Sequence, residues 1–200
     1  MTGTHGRHHL VLASGNPGKL NEYQVLATGH DLQLALLDGF ANIPEFPEDA
    51  PTFAENAVGK ALYYSKHSPD LVFADDSGLV VPALGGAPGV HSARYAGVGA
   101  PNEAKIAKFL DALQGKTGRE RAAYFVCVIA MARRGRCLAV VSGKVDGEIL
   151  ASPQGSGGFG YDPVFFFPPL RKSFAELAPD EKNEHSHRGN AFRRLMEVLG

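Results

Sequence analysis

The chain has 200 residues, 44% of them apolar, which is enough for one globular domain with a substantial core and too few to require two. Its 20 basic and 21 acidic residues nearly cancel and no basic run stands out, which disfavours a nucleic-acid surface but leaves room for a local anion pocket. With two cysteines and no apolar stretch near the roughly 18–20 residues that a membrane helix needs, the composition points to a soluble, cytoplasmic protein with two buried thiols.

The polar start, Met1 to His9, lacks the apolar centre of a signal peptide, and residues 1–8 read as a flexible tail, with the domain proper over residues 9–200. His5, His8 and His9 could chelate a metal, although a frayed tail offers no fixed geometry. His9 to Ala13 reads as a strand, Pro17 to Ala27 as a helix and Leu32 to Leu37 as a second strand. Gly39 to Pro51 holds three prolines and three acids and is a loop. Thr52 and Glu55 then fit a capping box, opening a helix that runs to about Lys66.

Leu71 to Ala74 is a short buried strand ending in Asp75 and Asp76, followed by a glycine-rich loop from Gly78 to Gly99. Asn102 is expected to cap a helix that ends before Gly115. Ala122 to Ala132 and Cys137 to Val145 pair as a hairpin, and Gly147 to Ala151 continues the sheet. If the turn closes at residues 134–135, Cys127 faces Ser142 and Cys137 faces Ala132, so the thiols do not pair. Val164 to Phe167 is a further strand. Phe192, Leu195, Met196 and Leu199 make a core-facing stripe on a last helix that begins near Ser186. Interleaved helices and strands with a central hairpin predict a single α/β domain with a mixed β-sheet, helices on both faces, and two lobes flanking an active-site cleft.

Four segments carry chemistry. Ser14-Gly15-Asn16-Pro17-Gly18-Lys19 follows the first strand, with Asn16 as N-cap and Pro17 at the first helical position. Free N–H groups at such a helix start, together with the dipole and Lys19, suit a phosphate. The adjacent Asp75 and Asp76 project to opposite faces of a strand, so one could hold Mg²⁺ or activate water while the other braces a loop. Gly155 to Asp162 matches the G-x-G-x-x-G spacing of dinucleotide folds, but a strand follows where that motif needs a helix. The better reading is a backbone that approaches a flat ligand closely. Phe159 or Tyr161 would stack on a base, and Asp162 would accept from ring N–H groups. Glu181 to Gly189 places His187 and Arg188 in the first turn of the last helix, where a bound anion or carbonyl oxygen would relieve their clash with the dipole. In addition, Glu45 or Glu48 could supply a metal carboxylate. Asn56 and Lys60 share a helix face, so Lys60 could reach a phosphate.

In this order, the stretches LASGNPGKLNEY, TFAENAVGKA, FADDSGLVVPALGGAPGVHSARYAG, GSGGFGYDPVFF, and AEL followed by EKNEHSHRG resemble the inosine triphosphate pyrophosphatase family, which acts on ITP, dITP and XTP. The resemblance spans Leu12 to Gly189. It implies an elongated mixed sheet, a homodimer, Mg²⁺ as cofactor, and hydrolysis of purine nucleoside triphosphates to monophosphate and pyrophosphate. It also implies that Ser14 to Lys19 bind the triphosphate, that Asp76 is the proton acceptor and a metal ligand, and that Ser77 contacts substrate. Phe159, Gly160, Tyr161 and Asp162 would form the base loop, and Lys182, His187 and Arg188 the remaining contacts. Two departures stand out: Pro47 replaces the first of two adjacent glutamates, leaving Glu48 or alternatively Glu45 for the metal, and His91 stands where tyrosine is common.

Overall fold

The structure, a computed structural model, describes residues 8–200. The expected tail and His5 therefore lie outside the described residues, apart from His8, which opens the first strand. In chain order the elements are β1 (His8–Leu12), α1 (Pro17–Ala27), β2 (Leu32–Leu36), α2 (Phe53–Tyr64), β3 (Leu71–Val80) and α3 (Asn102–Ala112). They continue with β4 (Ala122–Arg133), β5 (Arg136–Ile149), β6 (Phe165–Phe167), β7 (Lys172–Ser173), α4 (Pro179–His185) and α5 (His187–Leu199). Among the described residues the strands form one sheet in the order β2-β1-β3-β4-β5-β6-β7. β1 pairs parallel with β2 and β3, whereas β6 pairs antiparallel with β5 and β7, so the sheet is mixed as expected.

Local chemistry explains the boundaries that the sequence predicts well. The Asn16 side chain accepts from the N–H groups of Gly18 and Lys19, and Pro17 occupies the first turn, so α1 begins where its cap dictates. In α2 the Thr52 hydroxyl accepts from Glu55 N at 3.2 Å and bonds the Glu55 carboxylate at 2.7 Å. The β4–β5 hairpin turns on Arg134 (φ 51°) and Gly135 (φ 74°), the two left-handed residues that the strand twist favours in a two-residue turn.

Several expectations need correction. β3 does not stop before the aspartates: it runs through Asp75, Asp76, Ser77 and Gly78 to Val80. Lysine partners compensate those buried charges, so the chain need not leave the sheet there. Asn102 is the first helical residue of α3 and not its cap; Pro101 stands at the cap without a side-chain bond. β5 is one strand to Ile149, without the break expected near Gly147. α4, which Pro179 starts, and the two-residue β7 have no counterpart among the elements expected from sequence. Of the two free cysteines only Cys127 is buried, since Cys137 faces solvent.

The chain divides into two compact units. Unit one holds residues 8–76, 128–141 and 192–200. Its core joins Leu10, Leu12, Tyr23, Ala57, Ala61, Val72, Phe73, Ile129, Phe192 and Leu195, all fully buried. The Tyr23 ring meets Phe73 edge-on at 5.1 Å and lies 5.8 Å from Phe192. Unit two holds residues 77–127 and 142–191. Its core gathers Leu79, Phe109, Phe125, Tyr161, Phe165 and Phe174. The second half of β5 buries Gly143, Val145, Gly147 and Ile149 and exposes the residues between them, the signature of a strand covered on one face. A Cβ on Gly143 would strike the His187 carbonyl oxygen and Ala191 N, so only glycine lets α5 lie this close.

Candidate active site

In unit one a group of charges gathers around β3. Asp75 is 2% exposed and Asp76 4%, and α1 and α2 each send a lysine to them. Lys19 Nζ stands 3.0 Å from Asp75 Oδ1 and 3.3 Å from the Asp75 carbonyl oxygen. Lys60 Nζ donates to the Asp75 carbonyl at 2.6 Å and to Glu48 Oε1 at 2.8 Å, and lies 3.9 Å from Asp76 Oδ1. Asn56, one turn before Lys60 on the same face of α2, donates from Nδ2 to Asp76 Oδ2 at 3.0 Å. Burial pushes the Asp76 carboxyl above the ordinary carboxylate range, against the opposing pull of Lys60 and Lys19. Burial alone would lower the Lys60 ammonium, but the charges of Asp75, Asp76 and Glu48 outweigh it and hold the group above its usual value. A buried carboxylate beside a fixed cation and an amide donor can take a proton from water, and the lysines can meet an anion.

Three expectations change here. The N–H groups of Gly18 and Lys19 are already taken by Asn16 Oδ1, and Asn16 N by Ser14 Oγ at 3.2 Å. Anion attraction at Ser14 to Lys19 thus rests on the Lys19 ammonium and the helix dipole more than on free amides. Lys60, expected at a phosphate, is engaged with Glu48 and Asp75. Of the two candidate metal glutamates, Glu48 joins Lys60, whereas Glu45 is exposed and acts on the Tyr64 phenol. The acidic loop is pinned to α2 by Phe46 N donating to Tyr64 Oη at 3.1 Å and Tyr63 Oη donating to the Pro44 carbonyl at 3.1 Å. Gly59 leaves room for the Phe46 ring, which a Cβ would meet at 2.5 Å.

Unit two assembles the glycine loop and the start of α5. The Phe159 ring is half-buried, with Lys182 Nζ 5.0 Å and Arg188 Cζ 5.6 Å from its centroid. Arg188 is 2% exposed and its Nη2 donates to Ser77 Oγ at 2.8 Å. Ser186 caps α5 by accepting from Gly189 N at 3.0 Å, which fixes His187 and Arg188 in the first turn as expected. His187 is buried and stacks on Phe125 at 4.7 Å with the rings 12° from parallel, so its ring is held by the core.

Two residues of this loop depart from their expected roles. Tyr161 is 4% exposed, donates to the Ser92 carbonyl at 3.0 Å and meets the Phe109 ring edge-on at 5.3 Å. It is therefore a core residue, and burial pushes its phenol well above the usual value. Phe159 alone of the pair keeps an accessible ring. Asp162 Oδ2 accepts from Phe159 N at 2.7 Å and Lys182 Nζ at 2.5 Å, so it braces the loop from inside. The glycines serve that brace as well. A Cβ on Gly158 would strike the Asp162 carboxylate, and one on Gly155 would stand 2.5 Å from the Ala175 backbone. The close approach is to the protein's own chain. Gly160 (φ 62°) meets nothing there and is required only by its left-handed turn.

The hold of Asn56 on Asp76 and the brace role of Asp162 are not visible in the sequence. The only local signal for the first was the four-residue spacing of Asn56 and Lys60.

Together the fold and these clusters define a mixed-sheet α/β protein with a carboxylate–lysine centre in one unit and a cation-flanked aromatic ring in the other. The Ham1 family model matches residues 10–198, and the chain belongs to the Ham1 family. A dITP/XTP pyrophosphatase of Geobacillus kaustophilus is 48% identical over 188 residues, covering 94% of this chain and 92% of that protein. One from Shouchella clausii is 44% identical and covers 96% of each chain. Among solved structures, a HAM1 protein from Coxiella burnetii superposes with a TM-score of 0.85 at 42% identity, covering 96% of this chain and 98% of that one. The Ham1 protein of Staphylococcus aureus gives 0.83 at 41% identity, covering 96% and 97%. The family resemblance carried by the sequence motifs is thereby borne out. Among the described residues no helix is long and apolar enough to cross a membrane.

Proposed function

We propose that this chain hydrolyses the non-standard purine nucleoside triphosphates ITP, dITP and XTP to the monophosphate and pyrophosphate, clearing them from the nucleotide pool. The observation that carries the reading is Asp76: a buried carboxylate with a raised pKa, tied to Asn56 on one oxygen and facing Lys60 with the other. The naming of the relatives as dITP/XTP pyrophosphatases supports it.

In the reaction, the oxygen of a water attacks the α-phosphorus, the bridging α–β P–O bond breaks, and pyrophosphate leaves with the bond's electron pair. Asp76 orients that water and takes its proton. Lys19 offsets the charge of the triphosphate, with Ser14 to Gly18 shaping its approach. Among the described residues no group of three or more His, Cys, Asp and Glu is arranged to hold a metal unaided. Mg²⁺ commonly takes one or two carboxylates and completes its shell with substrate phosphates and water. Glu48 and Asp76, both turned to the Lys60 ammonium, fit that partial donor set. When bound there, Mg²⁺ would neutralise phosphate charge that otherwise repels a nucleophile.

For the base, Phe159 supplies the stacking surface, with Lys182 and Arg188 beside it. Ser77, the residue after Asp76 in the chain, accepts from Arg188. Inosine and xanthine present a 6-carbonyl, which Arg188 or a backbone N–H would satisfy. Adenine presents an amine there, and the donor left without an acceptor costs about 1–3 kcal/mol. A homodimer and a cytoplasmic location belong to the same reading and rest on the family resemblance.

The test is pyrophosphate release from ITP, XTP, dITP, ATP and GTP, with and without Mg²⁺. Magnesium-dependent turnover of the first three, well above ATP, is expected; GTP shares their 6-carbonyl, so its turnover reads whether the 2-amino group is discriminated as well. Binding without release would make the chain a nucleotide sensor, and preference for pyrimidine nucleotides would move it to a different pyrophosphatase class.

A further inference from the structure

We infer that Asn56 is a positioning residue for the proposed hydrolysis, coupling the acidic loop to the working orientation of the Asp76 carboxylate. The inference rests on the reading of Asp76 as proton acceptor.

α2 presents two buried polar side chains one turn apart, and each bridges the acidic loop to β3. Lys60 joins Glu48 to the Asp75 carbonyl. Asn56, fully buried, joins Ala50 to Asp76. The Asn56 contacts are directional. Its Oδ1 accepts from Ala50 N at 3.0 Å, and its Nδ2 donates to the Ala50 carbonyl at 3.3 Å and to Asp76 Oδ2 at 3.0 Å. Both protons and the carbonyl of the amide are therefore used.

These partners also settle which way the amide points. Turned over, it would set an N–H against Ala50 N–H and a carbonyl oxygen against the Asp76 carboxylate, two repulsive pairs in a buried place. The orientation has a consequence for Asp76. Its Oδ2 is held by the amide, while Oδ1 stands 3.9 Å from Lys60 Nζ, so the amide fixes how the carboxylate presents itself to the cation. The same amide grips both backbone polar groups of Ala50, two residues from Glu48. Movement of the acidic loop thus pulls on the side chain that orients Asp76. A lysine in this place could supply charge but no acceptor for Ala50 N, and a serine could not span three partners.

The experiment is a double-mutant cycle on pyrophosphate release from ITP. Asn56→Asp keeps the size and the acceptor for Ala50 N but removes both donors. Its kcat is expected to fall by about 10–100-fold, the scale of a small misplacement of a catalytic group, with KM changed far less. In an Asp76→Asn background the same change should remove little of the residual turnover, because Asn56 acts through Asp76. Equal fold-losses in both backgrounds, or a rise in KM at unchanged kcat, overturn the inference. Should the Asn56 variants fail to fold, NMR of the side-chain amide in the otherwise intact chain decides. One Nδ2 proton is expected to be protected from exchange and to shift on Asp76→Asn, and an amide indifferent to that change overturns the inference equally. A wild-type protein that releases no pyrophosphate from any nucleotide would instead sink the reading of Asp76 on which this rests.

Discussion

Lys182 and Asp162 form an ion pair with Nζ 2.5 Å from Oδ2, and each residue is 4% exposed or less. The pair fixes the Phe159 loop, since the same oxygen accepts from Phe159 N. Removing one partner of a buried pair leaves the other charge uncompensated, at a cost of about 3–5 kcal/mol. Asp162→Ala should therefore lower the unfolding free energy, read from the denaturant midpoint and slope, by that amount. Asp162→Ala combined with Lys182→Met should recover part of the loss but not all, because Phe159 N stays without its acceptor. Identical stability of the single and double variants would show that the pair is not what holds the loop.

Asp76 is expected to separate stability from activity. Its carboxyl titrates higher in the folded chain than in a free peptide because it is buried. The fold thus prefers the protonated form, and the stability it contributes is present at low pH and lost as pH rises through the shifted value. At neutral pH in metal-free buffer the ionised group is a net load. Asp76→Asn should then unfold at an equal or higher temperature, while turnover falls by about 10²–10⁴-fold. Wild-type turnover in this variant would remove Asp76 from the chemistry.

How much of this was legible in the sequence depended on how far apart the partners lie. The start of α1 and the Thr52 cap of α2 could be read because donor and acceptor sit within three residues, as Asn16 with Lys19 and Thr52 with Glu55. The reciprocal half of the expected capping box is absent, since the Glu55 carboxylate accepts from the Thr52 hydroxyl and not from its backbone N–H. The continuation of β3 through two aspartates was not, because Lys19 and Lys60, 56 and 15 residues away, compensate them. Phe159 and Tyr161 are equally plausible stacking rings in sequence; Ser92 and Phe109, distant in the chain, draw Tyr161 into the core. In sequence the glycine loop suggests a close ligand, whereas in the structure Gly158 yields to Asp162 and Gly155 to Ala175, since a ligand and a neighbouring chain demand the same missing Cβ.

The two candidate metal glutamates can be told apart by titration. Glu48 lies on Lys60 beside Asp76, whereas Glu45 is exposed. Glu48→Gln should raise the Mg²⁺ concentration for half-maximal turnover by roughly tenfold or more, the equivalent of losing one charge-assisted contact of about 1.5–3 kcal/mol. Glu45→Gln should leave it unchanged. The reverse order would move the metal to the other end of the loop.

Phe159→Ala should weaken substrate capture more than it slows bond cleavage. Stacking of a base on an aromatic ring contributes about 1–3 kcal/mol, so KM for ITP should rise about 5–150-fold with kcat nearly kept. Lys182 stays bonded to Asp162, so the loop itself should survive the change, and the melting temperature is the control. An unaltered KM would argue that the base is held elsewhere.

Tyr161 gives the fold a dependence on alkaline pH. A free tyrosine titrates near 10, and burial raises the phenol above that in the folded chain. A raised pKa means stability that is fully present below about pH 10 and lost as pH climbs from there toward the shifted value, because the unfolded chain releases its proton first. The buried Tyr64, also raised, acts in the same direction, so the wild type should lose stability steadily above about pH 10. Tyr161→Phe should lower stability at neutral pH by about 1–3 kcal/mol, since the Ser92 carbonyl loses its donor, yet decline less steeply in alkali. Denaturant midpoints of the two proteins between pH 7 and about pH 11 read both effects, and parallel curves would mean that the Tyr161 phenol is not the group responsible.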